Sequence, residues 1–442
     1  METSTTQPAQ TTDAATQAGT QAAARGLRLR LRRSPWALAG VVLVFYAIWI
    51  GAYLFGGHDI RDFIVIGRHF VTKSHASAVI RYDPTYRYEP TNQLGYDGQY
   101  SYYIALDPVN AHYYMDWPAY RYTRILYPML TRVLSLGQPA IIPYVLVLIN
   151  WLAMGGGTLA VAAWLKRRGV SPWLALIYGC YTGLFIAVQG DLTEPLAYGL
   201  VALAIYLFDF GGKRRVLWAA VCFGLAALTR ESTAVFAAAY AGALLVNGSA
   251  ARGASVPARI ISERARAALG WARERLAANW RPAALLLGVA VLPYLAFKGF
   301  LTLWLRDTGV PAQVQLEWIP FAGILAHWPW EGHRLLEVDS IVLPGLICLG
   351  MGLWALRRRL LTVELLALLA NIVLFVALLP AASYTDLFAS ARITTGVVLG
   401  ALYCVPLFDR LTRGKRTWLV AVGLLWLMFV PLQMVELITH HA

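Results

Sequence analysis

Long apolar runs, separated by short polar connections, make up most of this chain. The first run spans residues 36–56, and the next begins only at about residue 140. Ten further runs lie at 140–165, 172–189, 194–210, 216–229, 231–247, 283–305, 340–356, 361–380, 393–409 and 417–438. A helix of about 20 apolar residues crosses the hydrocarbon core of a bilayer. The pattern predicts an all-α polytopic membrane protein with about eleven transmembrane helices.

Basic residues collect in every second connection between these runs. They form the groups Lys166–Arg168, Lys213–Arg215, Arg357–Arg359 and Arg410–Arg416. Cytoplasmic loops are enriched in Lys and Arg, so we expect the N-terminus inside the cell and the C-terminus outside. The same distribution accounts for much of the net charge of +14, and therefore argues against a nucleic-acid partner.

Four segments lie outside the apolar runs. Residues 1–35 predict a disordered, basic cytoplasmic tail. Residues 57–139 predict a large outer loop with short amphipathic helices, and loops of this length are uncommon unless they are functional. Residues 248–281 predict an amphipathic segment on the cytoplasmic surface, and 306–340 a second outer loop near the interface. The predicted transmembrane domain is 36–438.

The composition supports a membrane protein and excludes several chemistries. The chain is 58% hydrophobic and 14% charged, whereas soluble domains carry about 25% charged residues. Its four cysteines lie within apolar runs and are interpreted as small buried hydrophobes. The chain has no P-loop, nucleophile-elbow or HExxH motif, and its histidines lack metal-site spacing. We expect no required cofactor, although the acidic outer loop makes a divalent cation possible.

The predicted outer loop contains one carboxylate between two glycines. In Gly95-Tyr96-Asp97-Gly98-Gln99-Tyr100, Asp97 could cap a following helix through its side chain. It could equally be a catalytic base that faces a sugar or lipid substrate. The flanking glycines would let the backbone approach a substrate closely, and the tyrosines would offer flat faces and hydroxyl groups to a sugar. Tyr96, Gln99 and Tyr100 are therefore candidate substrate contacts.

Further ionisable residues lie at the predicted outer ends of the spans, where charge is costly and often functional. Asp191 and Glu194 have the spacing of a capping box, and both are also candidate ligand contacts. Arg230 and Glu231 interrupt a long apolar stretch, and Arg392 opens a predicted span. Arginine has a planar fork that suits phosphate. Arg121 and Arg124, before the second span, are either lipid-surface residues or additional phosphate ligands.

These motifs together resemble those of a known superfamily. Tyr96 to Tyr100, Ile104-Ala105 and Arg124-Ile125-Leu126-Tyr127-Pro128 are similar to segments of polytopic GT-C glycosyltransferases. The nearest resemblance is to bacterial proteins of cell-surface glycopolymer formation, and a more distant one is to GPI mannosyltransferases. Gly190 to Pro195 and Leu228 to Ser232 also resemble recurring segments of such chains.

The resemblance implies a function and a location. It implies a GT-C-like enzyme of the bacterial inner membrane, with an extracytoplasmic active site. The enzyme would move a sugar from a polyprenyl-phosphate donor to a glycan, lipid or protein acceptor. Many members place the key carboxylate directly after the first span, which here gives Asp59 or Asp62 as alternatives to Asp97. A transporter or flippase of lipid-linked saccharides is the alternative function.

Overall fold

The computed structural model describes residues 34–67, 94–247, 265–309, 315–385, 387–431 and 434. These residues form helices and connecting loops, and an isolated β-bridge joins Ile66 to Gly95. The predicted tail before residue 34 lies outside the described residues, as do the first part of the predicted cytoplasmic segment, 248–264, and residues 68–93 of the outer loop.

The first half of the chain contains an apolar helix, three short helices of the outer loop and a helical bundle. These helices are α1 (Pro35–Phe55), α2 (Gly98–Leu106), α3 (Pro118–Tyr122), α4 (Leu126–Leu134), α5 (Ile142–Arg167), α6 (Ala175–Gly179), α7 (Thr182–Gln189), α8 (Glu194–Phe210), α9 (Arg215–Thr229) and α10 (Ala234–Asn247). Single 3-10 turns at Ile60–Ile64, Ala111–Tyr114 and Glu231–Thr233 connect several of them.

The second half begins with a long helix and ends with a group of apolar helices. These are α11 (Ala265–Leu305), α12 (Ala322–Leu325), α13 (His333–Glu337), α14 (Leu343–Arg357), α15 (Val363–Ile372), α16 (Leu387–Ile393), α17 (Thr395–Leu411) and α18 (Thr417–Leu427). Helix α11 continues without a break through the predicted boundary between the cytoplasmic segment and the span at 283–305.

A helix occupies each of the eleven apolar runs. By length and composition, five helical stretches of the described residues can cross a membrane, or up to seven if two bent helix pairs each count as one span. The apolar helices at 231–246, 363–377 and 417–427 are shorter. The fold is therefore helical with several membrane-type helices, whereas the number of eleven spans is not confirmed.

The outward face of the bundle is apolar. Only 33% of the apolar window of α1 and 17% of that of α11 are buried. Leu292, Phe300 and Leu303 of α11 are among its exposed large side chains. Exposed apolar surface of this extent is unusual on a water-soluble monomer, and a bilayer accounts for it.

The described part of the outer loop is folded rather than extended. Tyr100, Tyr102 and Tyr103 of α2 are buried together with Tyr122 and Tyr127. Their cluster also includes residues of α5 and Leu301 of α11. These buried rings form a core that fixes α2 against the apolar helices, so Tyr102 and Tyr103 do not present free faces, whereas the substrate role of Tyr100 stays a prediction.

Candidate functional site

Two glycines determine where the backbone places Asp97. Gly95 has a φ of +67°, and a Cβ added there would lie 2.3 Å from the backbone nitrogen of Gly67. A Cβ on Gly98 would lie 2.1 Å from the carbonyl oxygen of Gly190. The glycines thus permit contacts between backbone segments of the protein itself, which differs from the substrate approach expected from the sequence. The Gly98 contact holds the start of α2 against the loop that precedes α8.

The Gln99 side chain also holds the backbone around Asp97 in place. Its side-chain oxygen accepts a hydrogen bond from the Gly67 N–H at 3.0 Å, and its amide nitrogen donates to the Leu94 carbonyl at 2.9 Å. The side chain is buried. Gln99, expected from the sequence to contact substrate, therefore holds the chain around Asp97 in place.

Asp97 precedes α2, but its side chain makes no capping hydrogen bond to the described backbone of that helix. Its carboxylate instead contacts three arginines. Arg121 Nη1 donates to Oδ1 at 2.8 Å, and Arg392 Nη2 donates to Oδ2 at 2.7 Å. Arg124 Nη1 lies 3.7 Å from the same Oδ2. Burial would raise the pKa of Asp97, but the three guanidinium groups outweigh burial and hold the pKa well below its usual range.

Each of the three arginines also has an acidic partner of its own. Arg121 donates through Nε and Nη2 to both oxygens of Asp116, at 2.7 and 2.8 Å. Arg124 donates in the same way to Glu231, at 3.3 and 3.0 Å.

Arg392 Nη1 lies 3.3 Å from Oε1 of Glu194, and Arg230 Nη1 lies 2.8 Å from the same oxygen. Within the described chain, the network joins four arginines to four carboxylates.

Aromatic rings support three of the guanidinium groups, and that of Arg124 lies 4.7 Å from the ring centre of Tyr120. The carbon at the centre of the Arg121 guanidinium lies 4.2 Å from the ring centre of Tyr100. That of Arg392 lies 5.1 Å from the ring centre of Tyr96. Stacking of this kind stabilises a partly desolvated cation. Tyr96 and Tyr100, two predicted substrate residues, thus contribute by positioning arginines.

A pocket lies beside the Asp97 carboxylate. Its described lining residues are Asp97, Tyr100, Ser101, Ile104, Arg121, Arg124, Leu192, Thr193, Glu194 and Arg392. Its cavity is small, about 20 Å³, which is room for about one water molecule. Polar atoms around it remain without a hydrogen bond in the described structure, namely Thr193 Oγ1, Glu194 Oε2 and Arg392 Nε. A buried polar atom without a partner calls for an explanation, and a bound ligand or water is one.

Asp191 does not form the capping box that its spacing with Glu194 suggested. The residue that precedes α8 is Thr193, and Asp191 adopts a left-handed φ of +47°. The Asp191 side chain is fully buried, and neither carboxylate oxygen has a hydrogen-bond partner among the described residues. Burial raises the pKa of this carboxyl well above its usual range and so favours its neutral form.

Asp59, the alternative catalytic residue, lies apart from this network. It accepts from the Arg61 backbone N–H at 2.9 Å and from the Arg61 guanidinium, and Asp62 accepts from the Asp59 N–H at 2.8 Å. These contacts cap the 3-10 turn Ile60–Ile64. The hydrogen bond from the Arg61 side chain lowers the pKa of Asp59. Neither Asp59 nor Asp62 lines the pocket.

Most of the predicted site residues thus meet in one place. The pocket or its ion-pair network contains Asp97, Tyr100, Arg121, Arg124, Glu194, Arg230, Glu231 and Arg392. Sequence reasoning missed Asp116, which orients Arg121, although a carboxylate five residues before an arginine in a functional loop was a usable signal. It also missed Ser101, Ile104, Leu192 and Thr193 of the pocket wall.

The described residues contain no group of three or more His, Cys, Asp and Glu side chains that could hold a metal ion. The possible divalent cation therefore stays a prediction. Comparisons with protein-family models, with curated proteins and with solved structures gave no match to this chain. Its fold and site consequently define a class only: a helical protein with membrane-type helices and a buried arginine–carboxylate pocket.

A second charged pocket lies at the other end of α8. Arg168 Nη2 and the Trp164 indole N–H donate to Asp209 at 2.5 and 2.7 Å. Glu364 lies 4.0 Å from Arg168. These contacts join α5, α8 and α15, and they account for the buried charge at that end of the helices.

Proposed function

We propose that this chain is a GT-C-type membrane glycosyltransferase with about eleven spans. It moves a sugar from a polyprenyl-phosphate donor to a glycan, lipid or protein acceptor on the extracytoplasmic face of a bacterial inner membrane. The observation that carries the proposal is the convergence of Asp97, Arg121, Arg124 and Arg392 on one pocket at the ends of apolar helices, which the distribution of basic loops predicts to be the outer ends. Such a pocket offers both a carboxylate and donors for a phosphate.

In the proposed reaction, the acceptor hydroxyl attacks the anomeric carbon of the donor sugar. Asp97 accepts the hydroxyl proton as the new C–O bond forms, since a neutral hydroxyl is a poor nucleophile. The bond between the anomeric carbon and the phosphate oxygen breaks, and polyprenyl phosphate leaves. Arg121, Arg124 and Arg392 stabilise the charge that develops on the departing phosphate. A single displacement of this kind inverts the anomeric centre.

The test is a transfer assay with the full-length protein in lipid nanodiscs and a panel of polyprenyl-phosphate sugars. We expect Asp97→Asn to reduce turnover by about 10²-fold or more, because an amide cannot accept the proton. Asp59→Asn, which removes a carboxylate outside the pocket, is the matched control and should keep most of the activity. Near-normal transfer by folded Asp97→Asn, together with an inactive Asp59→Asn, would move the base to Asp59.

Transport of lipid-linked saccharides is a second candidate, favoured by the burial of Arg392 and Glu194 at the ends of apolar helices. Buried ionisable residues in membrane proteins often mark a substrate pathway. The same nanodisc preparation, reconstituted into vesicles, separates the two functions. A flippase moves an intact donor between leaflets, whereas the proposed enzyme releases polyprenyl phosphate and forms a new glycosidic bond.

A further inference from the structure

The three arginines around Asp97 are each held by a second carboxylate. Arg121 uses Nε and Nη2 for Asp116 and directs only Nη1 to Asp97. Arg124 uses Nε and Nη2 for Glu231 and has Nη1 nearest to Asp97. In both arginines, Nε and Nη2 bind the second carboxylate, and Nη1 points towards Asp97.

Arg392 follows the same arrangement. Its Nη1 lies against Glu194, and its Nη2 donates to Asp97. Three nitrogen donors, from Arg121, Arg124 and Arg392, thus converge on the Asp97 carboxylate. Since Asp116, Glu231 and Glu194 orient the arginines, these donors do not depend on Asp97 for their placement.

A carboxylate in this position is a weak proton acceptor. Burial favours its neutral form, but the arginines favour the ionised form more strongly and keep its pKa well below the usual range. General-base catalysis is most effective when the pKa of the base lies near the working pH. Asp97 must therefore separate from the arginines before it can take a proton from a hydroxyl group.

We infer that Asp97 occupies the binding position of an anionic phosphate group in the free protein, and that the incoming phosphate displaces its carboxylate from Arg121, Arg124 and Arg392. The identity of the anion as a phosphate ester rests on the proposed function. The phosphodiester of the donor offers two non-bridging oxygens and the bridging oxygen to the sugar, which are three acceptors for the three converging donors, and arginine forks bind phosphate well. The pocket beside the carboxylate gives the anion an approach. Once displaced, Asp97 is no longer neutralised by the arginines and can act as the base.

Displacement of Asp97 by phosphate has a measurable consequence for phosphate affinity. Removing the charge of Asp97 should strengthen the binding of inorganic phosphate, whereas a carboxylate that merely shapes the site would leave binding unchanged or weaker when mutated. We expect isothermal titration of the full-length protein to show that Asp97→Asn binds phosphate tenfold or more tightly than the wild type. An equal or lower affinity in the folded variant would overturn the inference.

Asp116→Asn is the matched control because it removes the same charge from the same arginine. Asp116 does not line the pocket, and its loss frees Arg121 to rotate. We expect phosphate affinity in Asp116→Asn to be unchanged or lower than in the wild type. A gain equal to that of Asp97→Asn would show a general charge effect and overturn the displacement.

A second measurement needs no substitution, so it remains decisive if Asp97→Asn does not fold. A water-soluble carbodiimide labels carboxyl groups that are accessible and able to take up a proton, and mass spectrometry locates the label. Saturating inorganic phosphate should increase labelling of Asp97 in the wild type, since the carboxylate leaves the arginines. Unchanged or reduced labelling would mean that phosphate does not displace it.

Farnesyl monophosphate distinguishes a lipid-linked phosphate from free phosphate. We expect it to bind the wild type more tightly than inorganic phosphate, and equal affinities would overturn the lipid-linked source. These binding results do not depend on sugar transfer. A chain that shows displacement but no transfer would refute the proposed function alone, whereas transfer without displacement would refute this inference alone.

Discussion

Arg392 connects the two carboxylates nearest to the pocket. It contacts Asp97 through Nη2 and Glu194 through Nη1, at 2.7 and 3.3 Å. A lysine has a single ammonium on a flexible stem and cannot reproduce this planar fork. The geometry of the Arg392 guanidinium is therefore more important than its charge. The conservative substitution Arg392→Lys keeps the charge and tests the geometry.

We expect Arg392→Lys to lower kcat/KM for sugar transfer by about 10- to 100-fold, in line with the loss of about 1.4–2.7 kcal/mol of transition-state stabilisation. Arg416→Lys is the matched control. Arg416 also forms a fork with one carboxylate, Asp409, but neither residue lines the pocket. Steady-state kinetics on both variants give the comparison. Equal kinetics for the two variants would show that Arg392 has no role in transfer.

Asp191 gives a prediction about pH. Its pKa is raised by burial in the folded protein, whereas an unfolded chain has an Asp pKa of about 3.9. Below that value both states bind the proton, so Asp191 does not oppose folding. As the pH rises towards the folded-state pKa, the unfolded state loses its proton first, and stability is lost.

Asp191→Asn removes this loss, because asparagine cannot ionise and tolerates the left-handed φ of this residue. We expect the Tm of the variant in detergent to equal that of the wild type at pH 4. It should exceed the wild-type Tm at pH 7, by about 1 °C for each kcal/mol regained in a chain of this length. A variant less stable than the wild type at pH 7 would indicate that Asp191 is ionised and held by a ligand.

At the scale of single residues, the sequence predicted which residues belong to the site better than it predicted what each of them does. Asp97 and its arginines were recognisable because charge near an apolar run is costly. Their pairing was not, since Asp97 and Arg392 are 295 residues apart and hydropathy contains no information on such contacts. Asp59 was a reasonable alternative from its position, but a partner only two residues away, Arg61, keeps it in a local turn.

At the scale of elements, α2 and the loop before α8 meet with almost no space between their backbones. The alanine substitution at Gly98 tests this contact, because the added Cβ would lie 2.1 Å from the Gly190 carbonyl oxygen. We expect Gly98→Ala to destabilise the protein by about 1–3 kcal/mol, typical of overpacking. Thermal unfolding in detergent measures the effect.

Gly156→Ala is its control, because a Cβ at Gly156 in α5 would meet nothing within 4 Å. It should be neutral or stabilising by about 0.5–1 kcal/mol, since glycine is unfavourable within a helix. Similar Tm values for the two alanine variants would contradict the tight contact between α2 and the loop before α8.

Helix breaks were the part of the fold that hydropathy could not supply. The apolar run at 172–189 contains two helices, α6 and α7, with a bend of 47°. Near the break, the Tyr181 hydroxyl donates to the Ala391 carbonyl at 2.7 Å. The run at 393–409 is preceded by α16, which adds Arg392 to its start. Such breaks depend on contacts between distant helices, whereas the runs themselves depend only on composition.

At the scale of the whole molecule, the predicted topology is testable with single cysteines. Val109 is exposed in the described outer loop, and Arg358 is exposed in the basic connection after α14. We expect a membrane-impermeant maleimide added to whole cells to label Val109→Cys. Arg358→Cys should react only after the membrane is permeabilised. The unsubstituted protein gives the background of its own four cysteines, Cys180, Cys222, Cys348 and Cys404. The opposite labelling pattern would invert the topology and place the pocket in the cytoplasm.

The position of Asp97 on the arginines also bears on selectivity. A carboxylate tethered beside its partners competes at an effective concentration that a short tether sets in the millimolar range or above. A small free anion has only its own charge with which to bind the arginines. At ordinary cellular concentrations it therefore does not displace the carboxylate. An anion that is joined to a sugar and a long lipid brings further binding energy from those parts, which can be used to displace the carboxylate. If the proposed function holds, the tethered carboxylate would admit a whole substrate and reject its fragments.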